Sequence, residues 1–472
     1  MNPSTVSATA LPCQTLPSPA TLRRFDGPGP RYTSYPTADR FVEAFTADDY
    51  AQALHRRGAA GAHGRPLSLY VHIPFCESLC YYCACNKVVT RHRHWAAEYL
   101  DYLEKEIALH IAALGRGALV SQLHLGGGTP TFLDDEGLAR LIAMLGREFA
   151  LAPEREQSIE IDPRTVDGAR LAKLAQLGFN RLSFGVQDFD ADVQKAVHRI
   201  QPAAQVFDLM TSARSLGFRS INVDLIYGLP KQNKLSFDRT LAQVCELRPD
   251  RIALYAYAHL PERFKPQRRI AEQDLPDPKA KVEMLARSIA VLSAAGYVYI
   301  GMDHFALPDD SLAIAKRQGR LHRNFQGYST QPDCDLIALG VSAIGRIGAT
   351  YSQNAKTLEE YYDLLDQGHI PVVRGLALTR DDVLRRAVIM ALMCQGHVDF
   401  EAMSVAHLID FKSHFAPEIA ALSPMVAQGL AHVTDHSIEV TPAGWFFVRG
   451  IAMVFDRYLQ ADRNRTRFSR IV

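Results

Sequence analysis

Four cysteines, Cys76, Cys80, Cys83 and Cys85, fall within ten residues of the chain, and the first three have the spacing C-x3-C-x2-C. Soft thiolates select zinc, copper(I) or iron–sulfur clusters. Zinc sites usually combine two separated C-x2-C pairs, or a cysteine pair with a later histidine pair. Disulfide scaffolds are typical of small secreted chains. The spacing therefore favours an iron–sulfur cluster with one iron that lacks a protein ligand, over zinc or idle thiols.

The element before these cysteines must hold them in place. Residues 67–75 are apolar, β-branched and aromatic, which predicts a buried strand that is stopped by Pro74. The cysteines would then lie on a loop at the carboxyl end of a strand. In α/β proteins this is the place where ligands and chemistry collect.

Six strand–helix units follow one another and predict parallel strands with right-handed crossovers. Six strands are too few for a closed eight-stranded barrel, so the predicted fold is α/β, an open three-quarter parallel β/α barrel of about six strands. A flat doubly wound sheet has the same local pattern and remains the alternative. The predicted strands are residues 67–75, 121–125, 158–161, 181–186, 220–227 and 251–258, and a strand at 297–302 would continue the sheet edge.

The chain divides into four predicted parts. Residues 1–20, rich in Ser, Thr, Pro and Ala, are expected to form a disordered tail. Residues 21–66 include a Pro- and Gly-rich stretch with aromatics at 27–37, which we expect to pack over the site. Residues 67–370 form the barrel domain. Residues 371–472 are expected to form a mostly helical, winged-helix-like domain, with helices at 381–394 and 445–459 and a hairpin at 429–440.

Composition argues against several partners. The net charge of +1 creates no field that would favour nucleic acid or an anionic membrane, and a basic tail at Arg463, Arg465, Arg467 and Arg470 reads as a solvated end. No apolar run approaches the ~20 residues of a membrane helix, and the N-terminus lacks a signal-peptide pattern. The remaining cysteines stand alone, at Cys13, Cys245, Cys334 and Cys394. We expect a cytoplasmic protein, with no interface helix that would argue against a monomer.

Polar residues follow the predicted strands and should converge on one face. The run Gly126–Gly128 would let a ligand approach the backbone, whose N–H groups can bind a carboxylate. Glu160 and Asp224 could accept hydrogen bonds from ribose hydroxyls or an ammonium group. Gln187 and Arg199 could hold carboxylates, and Tyr82 could pack on an adenine. Each is weak alone, since strand ends often carry capping or solvated groups, but beside the cysteine loop they indicate a ligand site.

Several segments give the chain a specific resemblance. The C-x3-C-x2-C loop is similar to that of the radical S-adenosylmethionine (SAM) superfamily. Beyond the tail, the whole chain resembles the oxygen-independent coproporphyrinogen III dehydrogenases, which act in anaerobic haem synthesis. Ala84 stands where that family commonly has Gly. The matching segments are PRYTSYPT at 30–37, YVHIPFC at 70–76, CACNK at 83–87, GGGTPT at 126–131, GVQDF at 185–189, DLIYGLP at 224–230, GMDHF at 301–305 and RNFQGY at 323–328.

The resemblance implies one 4Fe–4S cluster on Cys76, Cys80 and Cys83, and two SAM molecules. Cys85 is not expected to be a ligand. By resemblance, the SAM on the open iron would contact Tyr70, Gly127, Glu160 and Ile344. The second SAM would contact Tyr82, Gly128, Thr129, Gln187, Arg199, Asp224 and Ala258.

The implied reaction is the oxidative decarboxylation of two propionate side chains of coproporphyrinogen III to vinyl groups. It requires an electron donor and an electron acceptor that the sequence does not identify. Arg31 and Arg323 are the candidate partners of the substrate carboxylates. The alternatives are a haem-binding chaperone of the same superfamily and a radical methyltransferase. Cys85 and the segment at residues 31–37 disfavour both.

Overall fold

The computed structural model describes residues 19–25, 27, 29–59, 65–331 and 333–461. The predicted tail lies outside the described residues as far as residue 18, and so does the basic tail at Arg463–Arg470. Pro19 begins the first described helix, α1. Among the described residues, no helix is both long enough and apolar enough to cross a membrane.

The strands and helices alternate through the first two thirds of the chain. The strands are β1 (Leu67–Ile73), β2 (Phe75–Cys76), β3 (Val88–Val89), β4 (Leu119–Gly127), β5 (Ala150–Ile161), β6 (Arg181–Gln187), β7 (Ser220–Tyr227), β8 (Arg251–Ala256), β9 (Val298–Gly301), β10 (His304–Ala306), β11 (His322–Asn324), β12 (Gly327–Ser329), β13 (Asp335–Leu339), β14 (Ile344–Ile347), β15 (Thr350–Asn354), β16 (Val372–Ala377), β17 (His397–Asp399), β18 (Ala431–Val433) and β19 (Ser437–Val440). The helices are α1 (Pro19–Arg24), α2 (Ala47–Ala59), α3 (His94–Leu114), α4 (Asp135–Glu148), α5 (Gly168–Gln176), α6 (Ala191–Ala196), α7 (Ala203–Ser215), α8 (Lys234–Leu247), α9 (Pro278–Ala294), α10 (Ser311–Arg317), α11 (Leu358–Asp366), α12 (Arg380–Gln395), α13 (Phe400–His407), α14 (Phe411–His414), α15 (Ala416–Ala421), α16 (Ser423–Val426), α17 (Val448–Met453) and α18 (Arg457–Ala461).

The large sheet confirms the predicted open α/β barrel. Its strand order is β16-β15-β14-β13-β1-β4-β5-β6-β7-β8-β10-β9, and its two ends do not join among the described strands. All six predicted strands pair in parallel in sequence order. The sheet is wider than these six strands. β13 adds a parallel neighbour to β1, and antiparallel strands extend both edges. The predicted edge strand at 297–302 is β9.

Strand β6 alternates between buried and half-buried residues, because successive side chains of a strand point to opposite faces. Along β6, Leu182, Phe184 and Val186 are buried against the helices, whereas Ser183, Gly185 and Gln187 face the barrel interior. The local sequence also starts the helices. Asp134 accepts a hydrogen bond from Gly137 N at the start of α4, and α5 and α9 begin at capping aspartates in the same way.

The C-terminal part packs against the barrel directly, as where Phe446 stacks on Tyr299, and also through the N-terminal segment. Tyr32 and Tyr35 are fully buried, and the Tyr32 hydroxyl donates to Asp456 Oδ2 at 2.9 Å. The predicted helix at 381–394 is α12, and the predicted hairpin is formed by β18 and β19. The single helix predicted at 445–459 is wrong. A 3-10 turn at Gly444–Phe447 leads into α17, and residues 454–456 separate α17 from α18.

Candidate active site

The cysteine loop spans the short parallel strands β2 and β3. Val88 N donates to Pro74 O at 2.8 Å, and Thr90 N donates to Cys76 O at 2.9 Å. These bonds close the loop at its base. Tyr81 N donates to Val197 O at 3.0 Å, which fastens the tip of the loop to the segment after α6. Backbone hydrogen bonds therefore hold the loop at its base and at its tip.

A cavity of about 560 Å³ opens beside this loop at the carboxyl ends of the strands. All three predicted cluster ligands line it, and so do eight of the eleven residues predicted to contact SAM. Its predicted members are Cys76, Cys80, Cys83, Tyr82, Gly127, Gly128, Thr129, Glu160, Gln187, Arg199 and Asp224. The cavity thus brings together predicted residues that are up to 148 positions apart in the sequence (from Cys76 to Asp224).

Three predicted contacts do not line this cavity. The Tyr70 ring stacks on His124, and its hydroxyl is 3.0 Å from His72 Nδ1. The Ala258 carbonyl accepts a hydrogen bond from Gln267 Nε2, an amide that also donates to Tyr82 O. Ile344 begins β14 and is half-buried. All eleven predicted contacts with SAM remain predictions, and these three residues lie outside the cavity lining.

Cationic and hydroxyl groups surround two of the sulfur atoms. Arg199 Nη1 lies 3.5 Å from Cys80 Sγ and Arg164 Nη2 lies 3.6 Å from it. The Thr129 hydroxyl is 3.5 Å from Cys76 Sγ. Burial raises the pKa of the Cys76 thiol to about 11. Donors that point at a sulfur atom stabilise it as a thiolate, which is the form that binds iron.

Cys85 is an exposed neighbour of Cys83. The hydrogen bond from the Cys85 thiol is the largest cause that lowers the pKa of Cys83, to about 6, and Lys87 adds to the effect. The same bond, followed by the charge of Cys83, raises the pKa of Cys85 well above its usual value. In this arrangement Cys85 donates to a neighbouring thiolate.

The cysteine loop fits a 4Fe–4S cluster. All the cysteines among the described residues are free, and the three predicted ligands share one cavity. No three His, Cys, Asp or Glu side chains among the described residues converge as the ligands of a single ion would. In a 4Fe–4S cluster each cysteine binds a different iron, so the three thiolates need not converge on one point. The donor set and its cationic surroundings therefore suit the cluster.

Two carboxylates in the cavity have opposite character. Burial opposes ionisation of Glu160, but His124 Nε2 at 3.4 Å and Gly127 N at 3.1 Å hold its pKa below the usual value. Burial, together with the charge of Glu160, raises the pKa of Asp224 to about 7. Glu160 is thus a fixed anion at neutral pH, whereas Asp224 gains or loses a proton close to neutrality.

Gly127 and Gly128 line the cavity, but their N–H groups are not free to bind a carboxylate as predicted. Gly127 N donates to Glu160, Gly128 N donates to Ile73 O at 2.8 Å, and Thr129 N donates to Phe75 O. These N–H groups are therefore already used within the protein and are not open to a ligand carboxylate. The glycines are needed for close packing instead. A Cβ on Gly128 would lie 2.5 Å from Pro74 O, and one on Gly127, where φ is +116°, would lie 2.6 Å from His72 Cε1.

Sequence reasoning did not select several residues that line the cavity, among them Asp162, Arg164, Ser183 and Tyr255. Asp162 and Arg164 follow β5, and Asp162 accepts hydrogen bonds from both Arg164 and Arg199. Ser183 and Tyr255 point inward from β6 and β8. The signal for the first two was the strand-end position that had already selected Glu160. Ser183 lies on the same face of β6 as Gln187, and Tyr255 lies on the same face of the sheet as Asp224. The alternation of side chains along a strand could therefore have identified both.

Comparison with known proteins agrees with this geometry. The family model described as "Radical SAM superfamily" matches residues 70–244, and the one described as "HemN C-terminal domain" matches residues 378–447. The oxygen-independent coproporphyrinogen III oxidase of Pseudomonas aeruginosa is 51% identical over 453 residues, which cover 96% of this chain and 98% of the relative. That of Synechocystis is 44% identical over 96% of this chain and 97% of the relative.

The solved structure of coproporphyrinogen III oxidase (HemN) from Escherichia coli, described as a radical SAM enzyme, has a TM-score of 0.87 with this fold. It is 49% identical, and the match covers 91% of this chain and 98% of that one. Likeness of this extent spans the barrel and the C-terminal part together, which confirms the resemblance seen in the sequence. The chain therefore belongs to the family of oxygen-independent coproporphyrinogen III oxidases, within the radical SAM superfamily.

Proposed function

We propose that this chain converts two propionate side chains of coproporphyrinogen III to vinyl groups and so produces protoporphyrinogen IX. The observation that carries the proposal is the match of about half of all residues, over nearly the full length, to relatives that are named for this substrate. The cavity adds independent support, because it joins three free thiols to the groups that could hold a nucleotide.

The proposed cofactors are one 4Fe–4S cluster on Cys76, Cys80 and Cys83, and two SAM molecules. Bound there, they would supply a 5′-deoxyadenosyl radical, which is needed because no side-chain base can remove a hydrogen from an unactivated propionate carbon. Each propionate loses one hydrogen atom, one carbon dioxide and one electron to become a vinyl group. The reaction therefore also needs an electron donor at its start and an electron acceptor at its end.

The side chains of the cavity would bind and orient the two SAM molecules. Glu160, ionised at neutral pH, would accept hydrogen bonds from the first SAM, with Tyr70, Gly127 and Ile344 as its other contacts. Asp224 would accept from the ribose of the second SAM, as acidic residues do in other nucleotide sites. The further contacts of the second SAM are Tyr82, Gly128, Thr129, Gln187, Arg199 and Ala258.

The proposal also includes the cellular compartment and the oligomeric state of the enzyme. Seven described cysteines are all free, which suits a reducing compartment, and we place the enzyme in the cytoplasm. We propose that it acts as a monomer. Its low net charge provides no field for nucleic acid or for an anionic membrane.

The test is anaerobic incubation of the cluster-loaded chain with a reductant, SAM and coproporphyrinogen III. Product with two new vinyl groups and two molecules of carbon dioxide per substrate is the expected result. Equilibrium binding of SAM to the loaded chain should saturate at two molecules. A loaded chain that binds haem tightly and yields no vinyl product would instead be a carrier of the same superfamily.

A further inference from the structure

Arg31 and Arg323 meet behind the wall of the cavity, although they are far apart in the sequence. Arg323 Nε donates to the backbone carbonyl of Arg31 at 3.3 Å. The Arg31 guanidinium lies over the ring of Tyr255, 5.2 Å from its centre, and Tyr255 lines the cavity. Arg31 Nη2 is 3.1 Å from Oδ2 of Asp303. Arg31 and Arg323 are therefore neighbours at the inner side of the site.

Arg323 is buried and incompletely bonded. Only 5% of the residue is exposed, and its guanidinium stacks on Tyr328. Its Nη1 atom is buried and has no hydrogen-bond partner among the described residues. A buried guanidinium with an unused donor is costly unless an acceptor arrives. The atom thus marks a place where an oxygen ligand would be stabilised.

Few carboxylates lie close to Arg31 and Arg323 among the described residues. Asp303 is the one carboxylate, among the described residues, within 4 Å of either arginine. Burial first, and then the charges of Arg323 and Arg31, lower the pKa of His304 to about 3. His304 is therefore neutral. Arg449 lies close enough to both Asp303 and Arg31 for their charges to affect its pKa. A third guanidinium thus lies near the Arg31–Asp303 pair.

Tyr255 connects this group to the nucleotide side of the cavity. Besides burial, which is the largest cause, the charges of Asp224 and Glu160 raise the pKa of Tyr255, whereas those of Arg31 and Arg323 lower it. The ring is therefore close both to the acidic residues of the cavity and to the two arginines. An anionic ligand in the cavity would be repelled on one side and attracted on the other.

The backbone around the Arg31–Asp303 pair is unusual. Tyr32, Met302 and Asp303 have φ values of 44°, 45° and 70°. Positive φ is uncommon for residues other than glycine and is strained for bulky ones. Such residues cluster at functional sites, where the surrounding structure enforces them. Here Asp303 belongs to the Arg31–Asp303 pair, and Tyr32 and Met302 each adjoin one member of it.

We propose that Arg31 and Arg323 form the binding subsite for a carboxylate of the substrate, and that Asp303 is an internal carboxylate that the substrate displaces from Arg31. The inference rests on the proposed function, since that function supplies a substrate with four carboxylates. Paired arginines suit a carboxylate because the planar guanidinium offers two parallel donors. Asp303 keeps the Arg31 fork oriented in the absence of ligand and weakens binding by competing with the ligand.

The test is an equilibrium titration of the full chain with coproporphyrin III, the stable oxidised form of the substrate ring, followed by porphyrin fluorescence. The neutral tetraamide of the same ring is titrated in parallel. Arg31→Gln and Arg323→Gln should each weaken coproporphyrin III binding about tenfold or more and change tetraamide binding less than about twofold. Asp303→Asn should tighten coproporphyrin III binding several-fold, because it removes the competing charge while keeping the shape.

Arg57→Gln is the matched control. Arg57 pairs with Asp335 at 3.0 Å, and both side chains are as shielded as the Arg31–Asp303 pair, but they lie at the opposite ends of the strands. This variant should bind both ligands as the unaltered chain does. Arg31→Lys and Arg323→Lys keep the charge without the fork and should give intermediate affinities, which covers the case that a glutamine variant does not fold.

Unchanged affinity for coproporphyrin III in both glutamine variants would overturn the subsite, and so would an equal loss for both ligands. Weaker binding by Asp303→Asn would overturn the displacement. Because the titration requires neither cluster nor turnover, it is separate from the proposed function. A chain that discriminates between the two ligands but forms no vinyl product retains the subsite and loses the reaction.

Discussion

Arg199 lies between a carboxylate and a thiol: its Nη1 atom is 3.1 Å from Oδ2 of Asp162 and 3.5 Å from Sγ of Cys80. Its Nη2 atom donates to Gly185 O at 2.6 Å. One buried guanidinium thus joins the cysteine loop to the ends of β5 and β6.

We expect Arg199→Gln to lower the free energy of unfolding by about 1–3 kcal/mol, because a buried carboxylate loses one of its two cations. Arg164 still holds Asp162, which keeps the loss below that of an isolated buried pair. Urea denaturation of the chain measures the change. Arg140→Gln, which breaks exposed ion pairs with Asp101 and Glu104, should cost less than about 1 kcal/mol. Equal losses in the two variants would contradict the prediction.

The three cavity thiols should differ from the other cysteines in cluster binding. Cys76→Ser, Cys80→Ser and Cys83→Ser should each lose the 4Fe–4S cluster, since a serine oxygen is a poor substitute for a soft thiolate. Cys85→Ser and the distant Cys245→Ser should retain it. Iron and sulfide are measured after anaerobic reconstitution. A full cluster complement in Cys80→Ser would contradict the assignment of Cys80 as a ligand.

Gly128→Ala should disturb the cysteine loop from below. The added Cβ would lie 2.5 Å from Pro74 O and 2.8 Å from Phe75 O, so the backbone directly before Cys76 must move. We expect a loss of stability of about 1–3 kcal/mol and less iron per chain after reconstitution. Gly146→Ala is the control. Gly146 lies within α4, and its added Cβ would be 4.0 Å from the Leu151 side chain. This substitution should stabilise the helix by roughly 0.5–1 kcal/mol. Similar behaviour of the two variants would contradict the argument.

Glu106 should make stability fall as pH rises. Burial outweighs the hydrogen bonds from Tyr361, Gly340 N and Asn354, and it raises the pKa of Glu106 from 4.5 to about 7. The folded chain therefore holds this proton more tightly than the unfolded chain does. The resulting stability is full below about pH 4.5 and is lost as pH rises through about 7.

Glu106→Gln removes that titration. The stability of the unaltered chain relative to this variant should decline on the order of 3 kcal/mol between pH 4.5 and 7.5. Urea denaturation at a series of pH values measures the decline. Glu104, on the same helix but with its side chain 44% exposed and paired with arginines, provides the control Glu104→Gln, which should show no such trend over this range. Parallel stability profiles for the unaltered chain and Glu106→Gln would refute the prediction.

Local patterns predicted the elements that depend on local sequence. The parallel strands carry β-branched residues between turn signals, and the strand ends delivered Glu160, Gln187 and Asp224 to one cavity. β13 was not predicted, because five residues leave little periodic signal and their pairing with β1 is set by the rest of the fold.

Tertiary partners limited the prediction of the site. The glycine run looked open to a ligand, but Glu160 and Ile73 already accept its N–H groups. Arg31 and Arg323 were selected from the charge of the implied substrate. Their contact with each other, and the competing Asp303, arise only when segments from both ends of the barrel come together.

The position of β1 determines when the site can be completed during protein synthesis. β1 leads directly into the cysteine loop, and it pairs with β4 on one side and β13 on the other. A ribosome that has released only the cysteines and the first helices has not yet made the strand that covers the far edge of β1. Domains synthesised from the N-terminus fold as units. β1, and with it the base of the cysteine loop, therefore gains its second neighbouring strand only after residue 339 has been synthesised.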